Sequence, residues 1–404
     1  MKKYFRICIL TVLCLMLALP ASARKRMRDY GISYGVFKTG TYNAITDVPG
    51  VTVGHRTLDD GDRMHTGVTA IIPHQGNIFR KKCPAAVYVG NGYGKLAGVT
   101  QIQELGTIET PIILTNTLNV AEGMRALISY TLTRPGNETV GSVNAVVGET
   151  NDGVLNDVRA RYVTEANVLE AIFSAHDGPV EEGCVGAGRG TVAFGLKGGI
   201  GTASRVLPAS MGGYTVGVLV QTNYGGVLKI AGVEIGQMMG KYSFRKEIME
   251  DVACTEDADC DAFNEAGHGV LALRDDFRQD ADGSCMIIVA TDAPVDARNL
   301  ERMAERAFMG LAQTGGIAAN GSGDYVIAFS NNPGNLVDES VKPYTPTLLH
   351  NDDMSGLFQA TIEATAEAIW NSLFMAETIT GKDSRTVAAL DADWAACLIR
   401  AAQQ

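Results

Sequence analysis

The sequence predicts a single α/β domain, and three of its features support this prediction. Short runs rich in valine and isoleucine are bounded by glycine, proline, asparagine or aspartate, which is typical of buried β-strands. Segments with helical periodicity alternate with these runs, as they do in α/β folds. No linker rich in proline and serine divides the 404 residues, so we expect one large domain rather than several.

The predicted elements follow in chain order. The strand-forming runs are TDVPGVTVGH, GVTAIIPH, PAAVYVG, TPIILTN, VNAVVGET, YTVGVLVQT, CMIIVAT and GSGDYVIAFS. The predicted helices cover residues 99–105, 122–131, 164–176, 296–314, 356–378 and 388–402. The helix at 296–314 has the clearest pattern, because Leu300, Ala304 and Leu311 recur at helical spacing and Gly315 follows as its end.

Residues 1–23 have the pattern of a secretory signal peptide. Basic residues precede an apolar run at 7–19, and the sequence ASA at 21–23 provides an A-x-A type cleavage site. The apolar run is too short to be a good membrane span, and no other stretch is apolar enough. We therefore expect a secreted or periplasmic protein without a membrane anchor, whose mature chain begins near Arg24.

The charge balance argues against nucleic acids and anionic membranes as partners. The chain holds 34 Lys and Arg against 45 Asp and Glu, and loss of Lys2, Lys3 and Arg6 with the signal peptide leaves 31 basic residues. An acidic surface is repelled by phosphate groups.

An acidic segment interrupts the pattern before residue 284. Residues 247–283 contain twelve Asp or Glu against only Arg274 and Arg278, and few strand formers, which predicts a solvated loop or excursion. Within it, Cys254 and Cys260 are close enough in sequence to pair in an exported protein. Such a connector beside a buried strand is an obvious place for the chain to be cut.

Ser284 follows this segment directly, in the stretch DGSCMIIVAT. By itself the stretch is a turn that opens a strand. If the chain cleaved itself between Gly283 and Ser284, the serine would carry a free α-amine with a reference pKa of about 7.7 to 8.0, suited to act as base for its own hydroxyl. Gly283 suits such a cut because glycine tolerates a strained backbone and leaves room for the serine oxygen.

A second hydroxyl and a carboxylate are expected near Ser284. The strand at 284, the helix at 296–314 and the strand in GSGDYVIAFS form a β-α-β sequence, whose right-handed crossover brings the starts of both strands to one sheet edge. Ser322 and Asp324 would then orient the α-ammonium and relay its proton. Without Ser284, the same GSGD stretch would be only a loop that feeds a strand.

Several long blocks resemble one known family. They are DVPGVTVGHRTL, GNGYGKLAGVTQIQELGTIETPIILTNTLNV, VVGETNDGVLND, GCVGAGRGTVAFGLKGGIGTASR, TVGVLVQTNYG, DGSCMIIVATDAP and GSGDYVIAFS. Together they resemble the DmpA-type peptidases, the L-aminopeptidase/D-esterase and β-peptidyl aminopeptidase family. The resemblance implies a four-layer α-β-β-α sandwich like that of N-terminal-nucleophile hydrolases and no metal or organic cofactor. It also implies self-cleavage into an α-subunit at 24–283 and a β-subunit at 284–404 of one domain, and assembly into a homo-oligomer of processed heterodimers.

The resemblance also implies roles for single residues. Ser284 would be the nucleophile, with Ser322 and Asp324 as the supporting hydroxyl and acid. Asn223 would donate to the oxyanion that forms when the substrate carbonyl is attacked. Glu149 would receive the free amine of the substrate, a short peptide or aminoacyl amide. Considered alone, Asn223 would be a turn residue and Glu149 a loop acid.

Four features depart from the family pattern. The segment at 227–283 is longer than expected, which suggests added shielding of the cleavage site or of the substrate mouth. Asn151 stands where some members place a tyrosine that donates to the oxyanion, so its place in substrate binding is open. Arg189 interrupts a glycine-rich block and is expected to alter the pocket. Cys285 follows the nucleophile, but strand alternation turns its side chain to the opposite face. Like Cys184, it is expected to be a buried thiol.

Other signals do not support rival chemistries. The glycine-rich stretches around Gly90 and Gly186 complete no phosphate-binding loop and are interpreted as structural turns. The six histidines show no paired metal spacing, and no G-x-S-x-G elbow is present. The sequence thus favours an exported, self-processing serine aminopeptidase acting on short peptides, with amides, esters and β-peptides as further candidate substrates.

Two alternatives remain open from the sequence. One is an acyltransferase of the ornithine acetyltransferase type, against which stand the signal peptide and the serine nucleophile. The other is a catalytically silent exported scaffold that kept the fold.

Overall fold

The computed structural model describes residues 24–253 and 283–403. The predicted signal peptide lies outside the described residues, as do Cys254, Cys260 and most of the acidic segment. In the described part of the chain, no helix combines the length and the apolar character that crossing a bilayer requires.

The elements alternate between strands and helices along most of the chain. The strands are β1 Thr52–Asp60, β2 Met64–Ile72, β3 Lys81–Gly92, β4 Leu96–Ala97, β5 Thr107–Ile108, β6 Ile112–Asn116, β7 Val146–Thr150, β8 Val192–Ala193, β9 Leu196–Lys197, β10 Ile200–Val206, β11 Thr215–Asn223, β12 Ser284–Thr291, β13 Gly323–Ser330, β14 Val337–Asp338, β15 Ile379–Gly381 and β16 Arg385–Val387. The α-helices are α1 Val99–Leu105, α2 Val120–Leu132, α3 Glu165–Phe173, α4 Ile235–Met238, α5 Arg245–Ala253, α6 Ala297–Gln313, α7 Ser355–Phe374 and α8 Ala392–Ala402.

Two mixed sheets form the centre of the fold. The smaller has the strand order β1-β2-β6-β7-β4, and the larger has the order β10-β11-β12-β13-β3-β14 with β5 paired to β3. In the larger sheet, β12 runs antiparallel to β11 and parallel to β13, to which α6 connects it. The predicted β-α-β unit is therefore confirmed, and the starts of β12 and β13 lie side by side.

Strand alternation in β12 divides its side chains between two apolar layers. The β12 residues that pack between the two sheets are Met286, Ile288 and Ala290. Those that pack against α6 and α7 are Cys285, Ile287 and Val289. A third cluster joins β2, β6 and β7 to α2 and α3 on the outside of the smaller sheet. The order is thus helices, sheet, sheet, helices, which confirms the predicted four layers.

Helix limits follow capping side chains rather than apolar periodicity alone. The Asp296 carboxylate accepts a 2.9 Å hydrogen bond from the Asn299 amide at the start of α6. Asp391 likewise accepts from Trp394 at 3.0 Å, so α8 begins at residue 392 instead of 388. Such caps satisfy backbone donors that have no partner inside the helix.

The prediction of a loop throughout residues 247–283 is wrong at its beginning. Residues Arg245–Ala253 form α5, which enters the acidic segment. Glu247 lies in the first turn of this helix, where a negative charge interacts favourably with the helix dipole. The acidic composition that favoured a loop is therefore compatible with a helical start.

A buried ionic cluster, formed by Arg205, Glu363, Glu367 and Arg28, joins α7 to β10 and to the beginning of the described chain. Arg205 pairs with Glu363 at 2.9 Å and with Glu367 at 2.7 Å, and Arg28 pairs with Glu367 at 2.6 Å. Burial acts to raise the pKa of Glu367, but Arg28 and Arg205 lower it more, so the net pKa lies below its usual value. Breaking such a buried pair from one side typically costs about 3–5 kcal/mol.

Candidate active site

Ser284 occupies the first position of β12, with a strand on each side. It lies opposite Asn223 of β11 and opposite Gly323 of β13, and only 5% of its surface is exposed. Its Oγ donates a 2.5 Å hydrogen bond to the Gly283 carbonyl oxygen. The Gly323 amide donates to that same carbonyl at 3.0 Å and to Ser284 Oγ at 3.3 Å. One backbone donor therefore serves both the hydroxyl and the carbonyl that precedes it.

Gly283 has no room for a side chain. A Cβ atom at this position would lie 2.1 Å from the Asn223 carbonyl oxygen and 2.6 Å from Tyr224 Cα. Its backbone does not adopt a positive φ. Glycine is thus required here by the close approach of β11, and no left-handed backbone conformation requires it.

Ser322 and Asp324 lie at the start of β13, beside Ser284 as the β-α-β unit predicts. Both are nearly fully buried, with 1% and 2% exposure. Burial raises the pKa of Asp324 to about 6, while the nearby Ser322 hydroxyl and Cys285 amide act to lower it. Within the described residues, neither carboxylate oxygen has a hydrogen bond of normal geometry. Buried polar groups seldom lack partners, so the two carboxylate oxygens of Asp324 are suited to accept hydrogen bonds from another donor.

The register places Asp324 opposite Cys285, one residue beyond Ser284. Neighbouring strands keep their side chains on common faces, so Asp324 shares the face of Cys285, and Ser284 projects to the other. The carboxylate therefore lies near the Cys285 amide rather than beside the Ser284 hydroxyl. A role for Asp324 beside the amine of Ser284 stays a prediction.

Asn223 ends β11 directly opposite Ser284, as the last residue of a strand rather than a turn residue. Its Oδ1 accepts a 3.0 Å hydrogen bond from the Val192 amide. This bond fixes the orientation of the side-chain amide and leaves Nδ2 as its donor. Asn223 can therefore donate toward a group bound at Ser284.

The segment that carries Val192 is held by Lys197, a residue that the sequence analysis missed. The Lys197 side chain is fully buried, and its Nζ donates to the Gly188 carbonyl at 2.9 Å and to the Gly198 carbonyl at 2.8 Å. Burial lowers the pKa of Lys197 to about 8. The lysine thus fixes the loop that orients Asn223.

Glu149 reaches the site from the facing sheet. It lies in β7, with 3% exposure, and its Oε1 accepts a 3.0 Å hydrogen bond from the Lys95 amide. Gly94 lies between Glu149 and β13, since a Cβ on Gly94 would lie 3.1 Å from Glu149 Oε1 and 3.5 Å from Gly323 Cα. A single residue, Gly94, therefore lies between this carboxylate and Gly323, the residue opposite Ser284.

Asn151 has a local role in this structure. Its side chain is exposed, and its Oδ1 accepts a 3.0 Å hydrogen bond from the Gly153 amide. An Asx turn of this kind stabilises the loop after β7. Substrate binding by Asn151 stays a prediction.

Arg189 lines a different cavity from the one expected. It pairs with Asp59 at 2.5 Å, and Asp59 also contacts His65 Nδ1 at 2.6 Å. These residues, with Glu377 and its neighbours, surround a polar cavity of about 370 Å³ that Ser284 does not line. An influence of Arg189 on the substrate pocket stays a prediction.

Two of the cysteines are confirmed as buried, free thiols, as expected for Cys184 and Cys285. Burial and the nearby Asp324 raise the pKa of Cys285 well above its usual value, which makes its thiol a poor nucleophile. In residues 24–253 and 283–403, no cluster of three or more His, Cys, Asp or Glu side chains is arranged to hold a metal ion.

Other proteins are similar to this chain in sequence and architecture. The sequence profile described as peptidase family S58 matches residues 43–387. A β-peptidyl aminopeptidase of Sphingosinicella xenopeptidilytica is 37% identical over 409 residues, which cover 97% of this chain and 96% of the relative.

Two solved structures have a similar fold. A β-aminopeptidase from a Burkholderia species aligns with a TM-score of 0.78 and 36% identity over 93% of this chain and 99% of its own. The L-aminopeptidase D-Ala-esterase/amidase of Ochrobactrum anthropi, a prototype for the serine aminopeptidases with a variant of the Ntn hydrolase fold, aligns with a TM-score of 0.78. It is 31% identical over 94% of this chain and 99% of its own.

Proposed function

Because this chain belongs to peptidase family S58, we propose that it is an exported aminopeptidase that cleaves itself before Ser284 and then removes residues from the amino termini of short peptides. Family membership confirms the resemblance found in the seven sequence blocks. The observation that supports the proposal most directly is the position of Ser284 between Asn223 and Gly323, with the buried Glu149 facing them.

Self-cleavage would begin at the short contact between Ser284 and Gly283. The Ser284 oxygen attacks the carbonyl carbon of Gly283, and the hydroxyl proton passes to the Ser284 nitrogen as the peptide bond breaks, which gives an ester and a free Ser284 amine. The Gly323 amide already donates to the carbonyl oxygen that gains negative charge in this step. Water then hydrolyses the ester, which leaves a carboxylate on Gly283 and a free hydroxyl on Ser284.

Peptide hydrolysis would use the same serine with its new amine as base. The neutral amine takes the proton from Ser284 Oγ as the oxygen attacks the substrate carbonyl. Asn223 Nδ2 donates to the resulting oxyanion, and the leaving amine takes up the proton when the scissile bond breaks. Water releases the acyl group in a second step. Ser322 and Asp324 support the amine in its protonated form.

The buried carboxylate of Glu149 favours substrates with a free amine. An ammonium group compensates the charge that burial would otherwise disfavour, and an acylated amine does not. The name of the Sphingosinicella relative supports β-amino acids among the accepted residues. Amides and esters with a free amine meet the same requirement.

Export and assembly are parts of the same proposal. The leader pattern at residues 1–23 supports export. Assembly into a homo-oligomer is supported by exposed apolar side chains on the outer helices α2 and α3, where Ile128 is 38% and Phe173 is 72% exposed. Size-exclusion chromatography with light scattering measures the assembly.

The test of the proposal is the chemical state of active protein. Intact-mass measurement should find two polypeptides, the second beginning Ser-Cys-Met, and aminoacyl p-nitroanilides should be hydrolysed. Active material that remains one chain would contradict self-processing. Transfer of the acyl group to an added amine in preference to water would identify a transferase, and a single uncut chain without either reaction would identify a scaffold.

A further inference from the structure

The carboxylate of Glu149 already has an ammonium group beside it, supplied by the chain itself. Lys95 Nζ lies 3.1 Å from Glu149 Oε1. The backbone amide of Lys95 donates to the same oxygen at 3.0 Å. Residue 95 therefore contributes two separate contacts to the group that would bind the substrate amine.

The two contacts differ in how easily they break. The Glu149 side chain is 3% exposed, whereas the Lys95 side chain is 52% exposed. A lysine in this setting has solvent to move into, and its ammonium regains hydration when the ion pair opens. The backbone contact is fixed by the chain path after β3. The ammonium can therefore leave while the main-chain hydrogen bond remains.

The position of the pair places Lys95 at the catalytic centre. Gly94 precedes Lys95, and a Cβ atom placed on it would lie 3.1 Å from Glu149 Oε1 and 3.5 Å from Gly323 Cα. Gly323 is the residue opposite Ser284. A substrate whose carbonyl is at Ser284 and whose amine is at Glu149 would therefore meet the Lys95 ammonium at its own binding position.

We propose that Lys95 is a specificity-determining residue, whose ammonium occupies the amine site of the resting enzyme and yields to the amine of the substrate. This proposal rests on the proposed aminopeptidase function. Lys95 Nζ and the Lys95 amide both lie against Glu149 Oε1, so an incoming amine that binds this oxygen takes the position of the lysine ammonium. An acylated amine must displace Lys95 without restoring an ion pair, which strengthens the discrimination against blocked substrates.

The kinetic test compares Lys95→Met with Lys229→Met. Lys229 is a matched control, because its 42% exposed side chain pairs with Glu234 at 2.8 Å outside the site. At pH 8, Lys95→Met should lower KM for an aminoacyl p-nitroanilide two- to five-fold and leave kcat within two-fold of the parent. Lys229→Met should leave both constants unchanged. An unchanged or higher KM in Lys95→Met would overturn the proposal.

Calorimetric titration with n-butylamine makes the same comparison without catalysis. This amine contains no bond to hydrolyse, and Lys95→Met should bind it two- to five-fold more tightly than the parent. Equal binding would overturn the proposal even if peptide turnover is normal. Tighter binding with no peptide turnover in the parent would support the role of Lys95 and count against the proposed function.

Discussion

The hydroxyl of Ser284 donates a 2.5 Å hydrogen bond to the carbonyl oxygen of Gly283, the residue immediately before it. The hydroxyl oxygen is therefore held close to the peptide bond that would be cut. The Gly323 amide, which donates to the same carbonyl, is in place to stabilise the charge that develops there. The uncut chain thus has the geometry of a substrate bound to its own nucleophile.

Replacing Ser284 should abolish both maturation and turnover. Ser284→Ala removes the only atom proposed to attack Gly283, so the chain should remain uncut and activity should fall at least about 10³-fold. Gel electrophoresis and hydrolysis of aminoacyl p-nitroanilides measure the two effects. The exposed Ser340 provides a control, and Ser340→Ala should be cut and active. A processed and active alanine variant at 284 would refute the assignment.

Filling the space at Gly283 should slow self-cleavage. Gly283→Ala places a Cβ 2.1 Å from the Asn223 carbonyl oxygen, so the strands must separate and the hydroxyl loses its alignment. We expect processing to slow at least about ten-fold, measured by intact mass over time. Gly141→Ala is the matched control, since a Cβ at Gly141 meets nothing within 4 Å. Equal processing rates in the two variants would show that the close approach is unimportant.

Neutralising Glu149 should weaken selection for a free amine. Glu149→Gln keeps the shape of the side chain and removes a charged hydrogen bond, which is worth about 1.5–3 kcal/mol. We expect kcat/KM for free-amine substrates to fall about 10- to 100-fold, with a smaller change for N-acetylated ones. Glu122→Gln, on α2 away from the site, serves as control. A loss that is the same for both substrate classes would contradict amine binding by Glu149.

Removing the carboxylate at 324 should stabilise the uncut chain and inactivate the mature enzyme. Because burial raises the pKa of Asp324 from 3.8 to about 6, the native state binds the extra proton, and stability falls as pH rises through this range. In the uncut Ser284→Ala background, Asp324→Asn should therefore add up to about 3 kcal/mol at pH 7.5 and little at pH 4. Urea unfolding at both pH values measures the difference. A gain that is the same at both would exclude an ionised Asp324 as its cause.

Loosening the loop behind Asn223 should reduce kcat more than affinity. Lys197→Met removes the donors to Gly188 and Gly198, so the Val192 amide should hold Asn223 less rigidly. We expect kcat to fall about ten-fold with KM within two-fold, because the lost interaction acts on the oxyanion. In an Asn223→Ala background the same change should have little effect, and full additivity would argue against positioning.

Local pattern was enough to predict most of the framework. The apolar runs and helical periods correspond to the main strands and helices, and the path from Ser284 through α6 to β13 follows from handedness and short connections. The helix α5 was missed, because acidic residues suggested solvent exposure without excluding a helix. Local reasoning therefore succeeded where neighbouring residues determine the structure.

The remaining site residues depend on distant pairings. The register that sets Asn223 opposite Ser284, and the facing of the two sheets that brings Glu149 near, involve contacts between separate parts of the chain. Only the family resemblance pointed to them. Lys95 lies in GNGYGKLAG, interpreted from sequence as structural turns, and no local signal relates it to Glu149.

The buried ionic cluster would join two polypeptides if the chain is cut before Ser284 as proposed. Arg28 and Arg205 precede position 284, whereas Glu363 and Glu367 follow it. After the proposed cut these four charges would belong to two polypeptides. Separating the polypeptides would expose the apolar surface of each and leave the arginines and the glutamates without counter-charges. If the chain cleaves itself before Ser284 as proposed, a contact that stabilises the folded chain becomes a contact between two polypeptides, and these should stay associated without a covalent bond between them.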